Sequence, residues 1–499
     1  MRAVALTLAL PALAGAFDGK PYVESDKLQA LITIDDLLAG SQKLQDIADA
    51  HGGNRAFGGG GHNATVDWLV EELQKLDYYD IYKQPFTEEF IGSTAALTVN
   101  GVDVQSRPLI YTPAGNVSDA PLVAVANFGC DAQDFPATVA GGVALMARGA
   151  CNLSVKTTLA KSAGAVAAIV YNDEEGDLRG SLGEESDAYA PSVGITQAEG
   201  QAFLASLKAG QDVRVHLNLV SVIENRTNYN VIAETRGGDH NNVLMIGGHA
   251  DSVFAGPGVN DDGSGTVGVL TVAKALSQFT TNNAVRLAFW GAEEYGKLGS
   301  YFYVKQLNSS ASELLKVRAY LNFDMIASPN YRLSIYDGDG STFNFSGPPG
   351  SDVIKKLYER FYEARGLGHV PTQFNGRSDY AAFIENGIPA GGVFTGAEAL
   401  KTEAEAALFG GMAGVAYDPN YHQAGDDINN LNHDAYLINA QAIAHSVATY
   451  SMSWDTIPPV SLPQRLWVAD TAMHLKHASE LTGHSHDGPC GGGVTVLIC

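Results

Sequence analysis

Four clusters in the middle of this chain carry side chains that can do chemistry: His249 with Asp251, Asp261 with Asp262, Glu293 with Glu294, and Asp324. One imidazole and several carboxylates, with no thiolate among them, suit a borderline divalent cation such as Zn2+. Two such cations about 3.5 to 4 Å apart can activate a water molecule, polarise a scissile carbonyl and neutralise a tetrahedral intermediate. The inventory therefore suits peptide-bond hydrolysis, with Glu293 taking a proton from the water and returning it to the leaving amine. A carboxylate-rich site can also hold a free α-amino group, through Glu293, Asp324 and a metal. Peptides with a free N-terminus would be trimmed there, and blocked ones refused.

Such a site needs scaffolding, and the surrounding sequence supplies it. Val243 to Ile246 precede His249, Val285 to Trp290 precede Glu293, and Ala319 to Phe323 precede Asp324. These short apolar runs, bounded by glycine or charge, predict buried strands. Functional groups in an open α/β sheet gather beyond the carboxyl ends of its strands, so three such strands would deliver their side chains to one crevice. Val269, Val272, Ala273, Leu276 and Phe279 recur at helical spacing behind Asp261; Val353 to Arg365 predicts another helix and Ala390 to Phe394 another strand. This alternation from Asn228 onward predicts an α/β fold, a mixed, mostly parallel sheet sandwiched by helices.

Two later stretches bear on the same crevice. Gly376-Arg377-Ser378-Asp379 leads into a helix, and Tyr421-His422 lies in a polar loop that runs to Asp426-Asp427. Tyr421 is either a donor to an oxyanion or an ordinary packing tyrosine. Arg377, Ser378 and Asp379 either touch substrate or support the loop. Met325, Phe394 and nearby apolar residues would form a hydrophobic pocket favouring Leu, Met or Phe as the first residue.

At 499 residues the chain exceeds a typical single domain. Arg2, the apolar stretch to Leu13 and the small residues Ala14-Gly15-Ala16 read as a secretory signal over residues 1–16. No later run approaches the roughly 20 apolar residues of a membrane span, so a secreted, extracellular, soluble protein is expected. With 31 basic against 55 acidic residues the net charge is −24, which argues against nucleic acid or an anionic membrane as partner. Sequons at Asn63, Asn116, Asn152, Asn225, Asn308 and Asn344 fit a glycosylating secretory route. In an oxidising compartment, Cys130 with Cys151 and Cys490 with Cys499 is the simplest of the three pairings that four cysteines allow.

Residues 17–95 predict one or two short helices around Leu28 to Leu44 and another over Val66 to Leu76. Between them the run Gly58 to Gly61 reads as a flexible turn, and removal of part of 17–63 as a propeptide is left open. From 96 to 220, short runs such as Leu122 to Ala126, Val143 to Ala147 and Ala165 to Tyr171 enclose helix-forming Thr157 to Ala163. That stretch has no cluster of His with carboxylates, and marks an inserted β-rich module. The catalytic unit occupies 221–460, and 461–499 is a polar, His-bearing extension, more simply a solvated tail than a metal site.

The series His249-x-Asp251, Asn260-Asp261-Asp262-Gly-Ser-Gly, Glu293-Glu294, Asp324-Met325 and Tyr421-His422 resembles the co-catalytic zinc aminopeptidases of the aminopeptidase Y and secreted leucine aminopeptidase type. The likeness runs over roughly Asp26 to Ala95 and Asn228 to Ser453, and residues 96–220 resemble the protease-associated domain that members carry. It implies two Zn2+ per subunit, with His249 and Asp324 on one, Glu294 and His422 on the other, and Asp261 bridging. It also implies Glu293 as general base, Asp251 as the carboxylate that fixes the His249 tautomer, and a cis peptide between Asp261 and Asp262. Release of N-terminal Leu and other hydrophobic residues from peptides follows, and a monomer is expected. Carboxypeptidase-like and glutaminyl-cyclase-like chains share the fold, but the cyclases use a single zinc and ligands for two stand here. A non-catalytic receptor of this fold would have lost some of His249, Asp261, Glu293, Glu294, Asp324 and His422, and all are present.

Overall fold

The computed structural model describes residues 19–460. The signal at 1–16, the extension 461–499 and its Cys490–Cys499 pair lie outside the described residues. Two compact units emerge: one takes in the described residues up to Pro85, Tyr229–Glu293 and those from Lys297 on, and the other is Phe86–Asn228 with Glu294–Gly296. The strands Tyr79–Val99 and Arg214–Thr235 run through the points where the chain passes between units. The composition changes at 96 and 220 therefore fall inside strands rather than between elements. Among the described residues no helix is long and apolar enough to cross a membrane.

In the first unit the sheet runs Val370–Thr372, Ser334–Tyr336, Ala390–Phe394, Val317–Phe323, Asp239–His249, Asn283–Trp290 and then the end of Arg214–Thr235. The four strands from Ala390–Phe394 to Asn283–Trp290 are parallel, and the strands on either side of them are antiparallel. Register brings the parallel ends level: Trp290 lies opposite His249, Asn322 opposite Gly247 and Phe323 opposite Val393. Side chains alternate between two cores. Leu244, Ile246, Val285, Leu287 and Phe289 enter one, with helices Gly263–Leu276, Ser351–Glu363 and His433–Tyr450. Met245, Ala288 and Trp290 enter the other, with Leu298–Asn308 and Tyr380–Ile384. Burial on both faces is why these strands read as unbroken apolar runs rather than alternating ones.

Residues from Tyr22 on are built into this unit. Tyr22 bridges Thr280 in parallel, and Val23, Leu28, Leu37 and Leu44 belong to the first core. The run Gly58 to Gly61 is not a flexible turn: Gly59 is the N-cap of helix Gly60–Gln74. A Cβ on Gly61 would stand 2.1 Å from the Asn54 carbonyl oxygen, so close backbone approach, not flexibility, accounts for the glycine.

The second unit pairs Gly115–Ala124, Val143–Ala147, Ala167–Tyr171 and Ser192–Ile195 in parallel, with helices Leu153–Ser162 and Gln197–Lys208. The latter helix was not legible beforehand, because it fully buries only Gly200 and so has little apolar periodicity. The Cys130–Cys151 disulfide lies here.

Candidate metal centre

Because the parallel strands end level, the groups just beyond them share one place. His249 is the last residue of its strand. Its Nδ1 faces the Asp251 carbonyl oxygen at 3.2 Å and Asp251 Oδ1 at 3.6 Å. Its Nε2 faces Asp261 Oδ1 at 3.2 Å, Asp324 Oδ1 at 3.7 Å and Glu293 Oε2 at 4.0 Å. The other Asp261 oxygen lies 3.1 Å from His422 Nε2, so one carboxylate stands between two imidazoles. Glu294 joins them: one donor atom each from His249, Asp261 and Glu294 lies within 4.8 Å of the others. His249, Asp261, Asp324 and Glu293 are all at most 9% exposed.

The electrostatics follow from that crowding. Burial disfavours the His249 imidazolium, yet Asp251, Asp261, Asp324 and Glu293 outweigh it and hold the ring well above its ordinary pKa. Burial likewise opposes ionisation of Asp261, but His249 and His422 keep it well below the usual carboxylate range. Glu293 is pushed well up by burial, with Asp379 and Asp324 adding and His249 and Lys297 opposing. Asp379, fully buried, is pushed up to about 7 by burial, His249 opposing and Asp324 reinforcing. So many buried carboxylates around two imidazoles are costly without a cation. An all-nitrogen and oxygen donor set of this kind fits Zn2+.

Backbone and neighbouring side chains hold the candidate ligands. A cis peptide joins Asp261 to Asp262. Asp262 accepts from the His249 N–H at 2.9 Å, the Gly265 N–H at 2.9 Å and the Met325 N–H at 3.0 Å, tying two strand ends to the start of a helix. With its oxygens so committed, Asp262 is a brace rather than a ligand, although it clusters with His249 and Asp324. Gly265 in that helix is required, since a Cβ there would stand 1.9 Å from the Phe323 carbonyl oxygen. Asp251 Oδ1 accepts the Glu293 N–H at 3.1 Å. Asp426 accepts the N–H groups of Asn260 at 2.8 Å and Asp261 at 3.0 Å, which fastens the His422 loop to the Asp261 loop.

Of the residues left open by sequence, Ser378 donates to Asp324 Oδ2 at 2.5 Å and accepts from Asn322 Nδ2 at 2.8 Å. Arg377 donates to Glu398 at 2.5 Å and to the Tyr421 hydroxyl at 3.1 Å, and the Tyr421 ring stacks on His422 with centroids 3.8 Å apart. Met325 is buried with φ +53°, its carbonyl accepting from Thr395. Phe394 packs on the core around Trp290 and Phe383. The sequence alone marks no role for Asp262, Asp426 or Arg55. Their work is done on main-chain groups, which leave no mark in a sequence.

An α/β sandwich with one buried and one partly buried imidazole among buried carboxylates beyond its strand ends suits a metal-dependent hydrolase. Comparison with known proteins agrees. Residues 230–447 match Peptidase family M28 and residues 117–203 match the PA domain. "Probable leucine aminopeptidase 2" of Aspergillus fumigatus is 52% identical over 479 residues, 95% of this chain and 94% of that one. "Leucine aminopeptidase 2" of Arthroderma otae is 51% identical over 440 residues, 88% of each. The solved "Aminopeptidase from Aneurinibacillus sp. strain AM-1" superposes with TM-score 0.61 at 25% identity, covering 89% of this chain and all of that one. The chain belongs to Peptidase family M28, with an inserted PA domain, and is a hydrolase of the aminopeptidase type.

Proposed function

We propose that this protein is a secreted two-zinc aminopeptidase that removes Leu and other hydrophobic residues from the free N-terminus of peptides. The observation that carries the reading is Asp261 between two imidazoles, 3.2 Å from His249 and 3.1 Å from His422. His249 and Asp324 would hold one cation, Glu294 and His422 the other, and Asp261 both. When bound, the pair supplies Lewis-acid polarisation of the scissile carbonyl and acidifies a water molecule. Glu293, oriented by its N–H bond to Asp251, accepts the proton of the attacking water at its carboxylate and delivers it to the leaving amine. Asp251 holds the Nδ1 side of His249 and so keeps Nε2 turned inward. Arg377 donating to the Tyr421 oxygen makes that phenol a stronger donor toward the oxyanion. Glu293 and Asp324 are the acidic partners for a substrate ammonium, and Met325 and Phe394 the apolar ones for its side chain.

Secretion, glycosylation and a monomeric state belong to the same reading. All six sequon asparagines are exposed, as attachment of a glycan requires. A leader that ends ahead of Tyr22 belongs to this reading too, with Val23 and Leu28 in the core as support. Exhaustive chelation should abolish hydrolysis of Leu-p-nitroanilide, with zinc restoring it; activity indifferent to chelator would end the metal reading. Glu293→Gln should keep zinc but lose most turnover, and an N-acetylated peptide should survive where the free one is cut.

A further inference from the structure

Arg55 comes from the loop between the second and third N-terminal helices, nearly 200 residues ahead of the first ligand in sequence, yet it lies directly behind the metal centre. Its side chain is fully buried. The guanidinium donates to three main-chain carbonyls: Nε to Pro257 at 2.9 Å, Nη2 to Gly258 at 2.6 Å, and Nη1 to Ala250, the residue between His249 and Asp251. Its own N–H donates to Ser252 Oγ at 2.9 Å, and that hydroxyl bonds within the same loop to Gly256. The neighbouring Asn54 side chain reaches the Phe254 carbonyl. One planar fork thus grips both ends of the loop 250–258, which joins His249 and Asp251 to Asp261. Gly258, at φ +61°, is where that loop turns back, and a Cβ there would stand 2.6 Å from Ser252 Cβ.

We infer that Arg55 is a positioning residue of the metal centre: by holding the loop 250–258 it sets the separation of Asp251 and Asp261 on the two sides of the His249 ring. A surface arginine would be satisfied by water. This one is spent on three converging carbonyls, of which Gly258 also takes the Gly263 N–H at 3.1 Å, and its rigid fork, unlike an ammonium, can take all three in one plane. Its charge also sits among Asp251, Asp426, Asp262 and Asp261, which act on it in that order and oppose the cost of its burial. A corollary is that the N-terminal segment through Arg55 is part of the working enzyme and cannot be a discarded propeptide.

The inference rests on the metal-centre reading, and the test separates the two. Zinc affinity of the full-length protein is measured by competition with a chromophoric chelator, and cobalt is substituted to record the visible ligand-field spectrum, for wild type, Arg55→Lys and Arg55→Met. Wild type that takes up no zinc would remove the metal reading itself. With wild type binding, Arg55→Met should bind zinc at least tenfold more weakly with an altered cobalt spectrum, and Arg55→Lys, which keeps the charge without the fork, should fall between. If Arg55→Met does not fold, Arg55→Lys and Ser252→Ala decide, each expected to shift the cobalt spectrum. Wild-type affinity and spectrum in the variants, or tighter zinc binding by Arg55→Met, would overturn the inference. So would an active enzyme whose N-terminal sequence begins after residue 55.

Discussion

Replacing Ser378 by alanine isolates the support beneath a single candidate ligand, Asp324. The Ser378 hydroxyl donates to Asp324 Oδ2 at 2.5 Å and accepts from Asn322 Nδ2 at 2.8 Å, and all three residues are buried. Deleting it removes a hydrogen bond to a charged group, which contributes about 1.5–3 kcal/mol. It also leaves the Asn322 amide without its acceptor, a cost of about 1–3 kcal/mol for a buried donor. The two losses overlap, and Asn322 is prevented from turning away because its Oδ1 accepts from the Tyr320 hydroxyl at 3.1 Å, itself held by Trp290 at 2.8 Å. The expected destabilisation is therefore about 3 kcal/mol, on the order of a hundredfold in the folding equilibrium. Urea denaturation of the metal-free protein should show it as a lower midpoint at unchanged slope. Zinc affinity should fall as well, since the Ser378 hydroxyl holds Asp324 Oδ2. A shift below about 0.5 kcal/mol, the scatter of ordinary surface changes, with zinc affinity intact would refute the claim that Ser378 holds this ligand.

Gly248→Ala should cost about 1–3 kcal/mol or more and lower zinc occupancy, because its Cβ would stand 2.4 Å from Asp262 Oδ2 and 2.6 Å from the Phe323 carbonyl; thermal denaturation and metal analysis check this. Glu405 is brought down to about 2: burial opposes ionisation, but bonds from Tyr417, Thr402 and Arg332 outweigh it. A depressed carboxylate stabilises above its unfolded value near about 4.3 and loses that contribution as pH falls toward the folded one. Glu405→Gln should therefore be less stable than wild type at pH 7, the gap closing between about pH 4.3 and 2; a gap independent of pH would exclude the linkage. Converting Cys130 and Cys151 to serine opens a bridge spanning 21 residues, so unfolding of the PA unit should lose about 3 kcal/mol, read from its own calorimetric transition.

How much of this was legible beforehand depends on where each signal is written. Strand ends at His249, Trp290 and Phe323 could be read directly, since a buried parallel strand is a short apolar run and the chemical residue follows it. The helix behind Asp262 was equally plain from its periodicity. Helix Gln197–Lys208 was not, for it rests on the surface of its unit. The Gly58 to Gly61 run looked like slack and proved to be tight packing.

Residue types and their local spacing by themselves determined the chemistry: which imidazoles and carboxylates could gather around a cation, and on what kind of sheet. Only the tertiary structure decided that His422 comes within 3.1 Å of Asp261, and that Arg55, Asp262 and Asp426 are what hold the loops there. The reason is physical. These three act on peptide N–H and C=O groups, which every residue carries, so the partner of each bond has no letter of its own and exists only once the chain has folded.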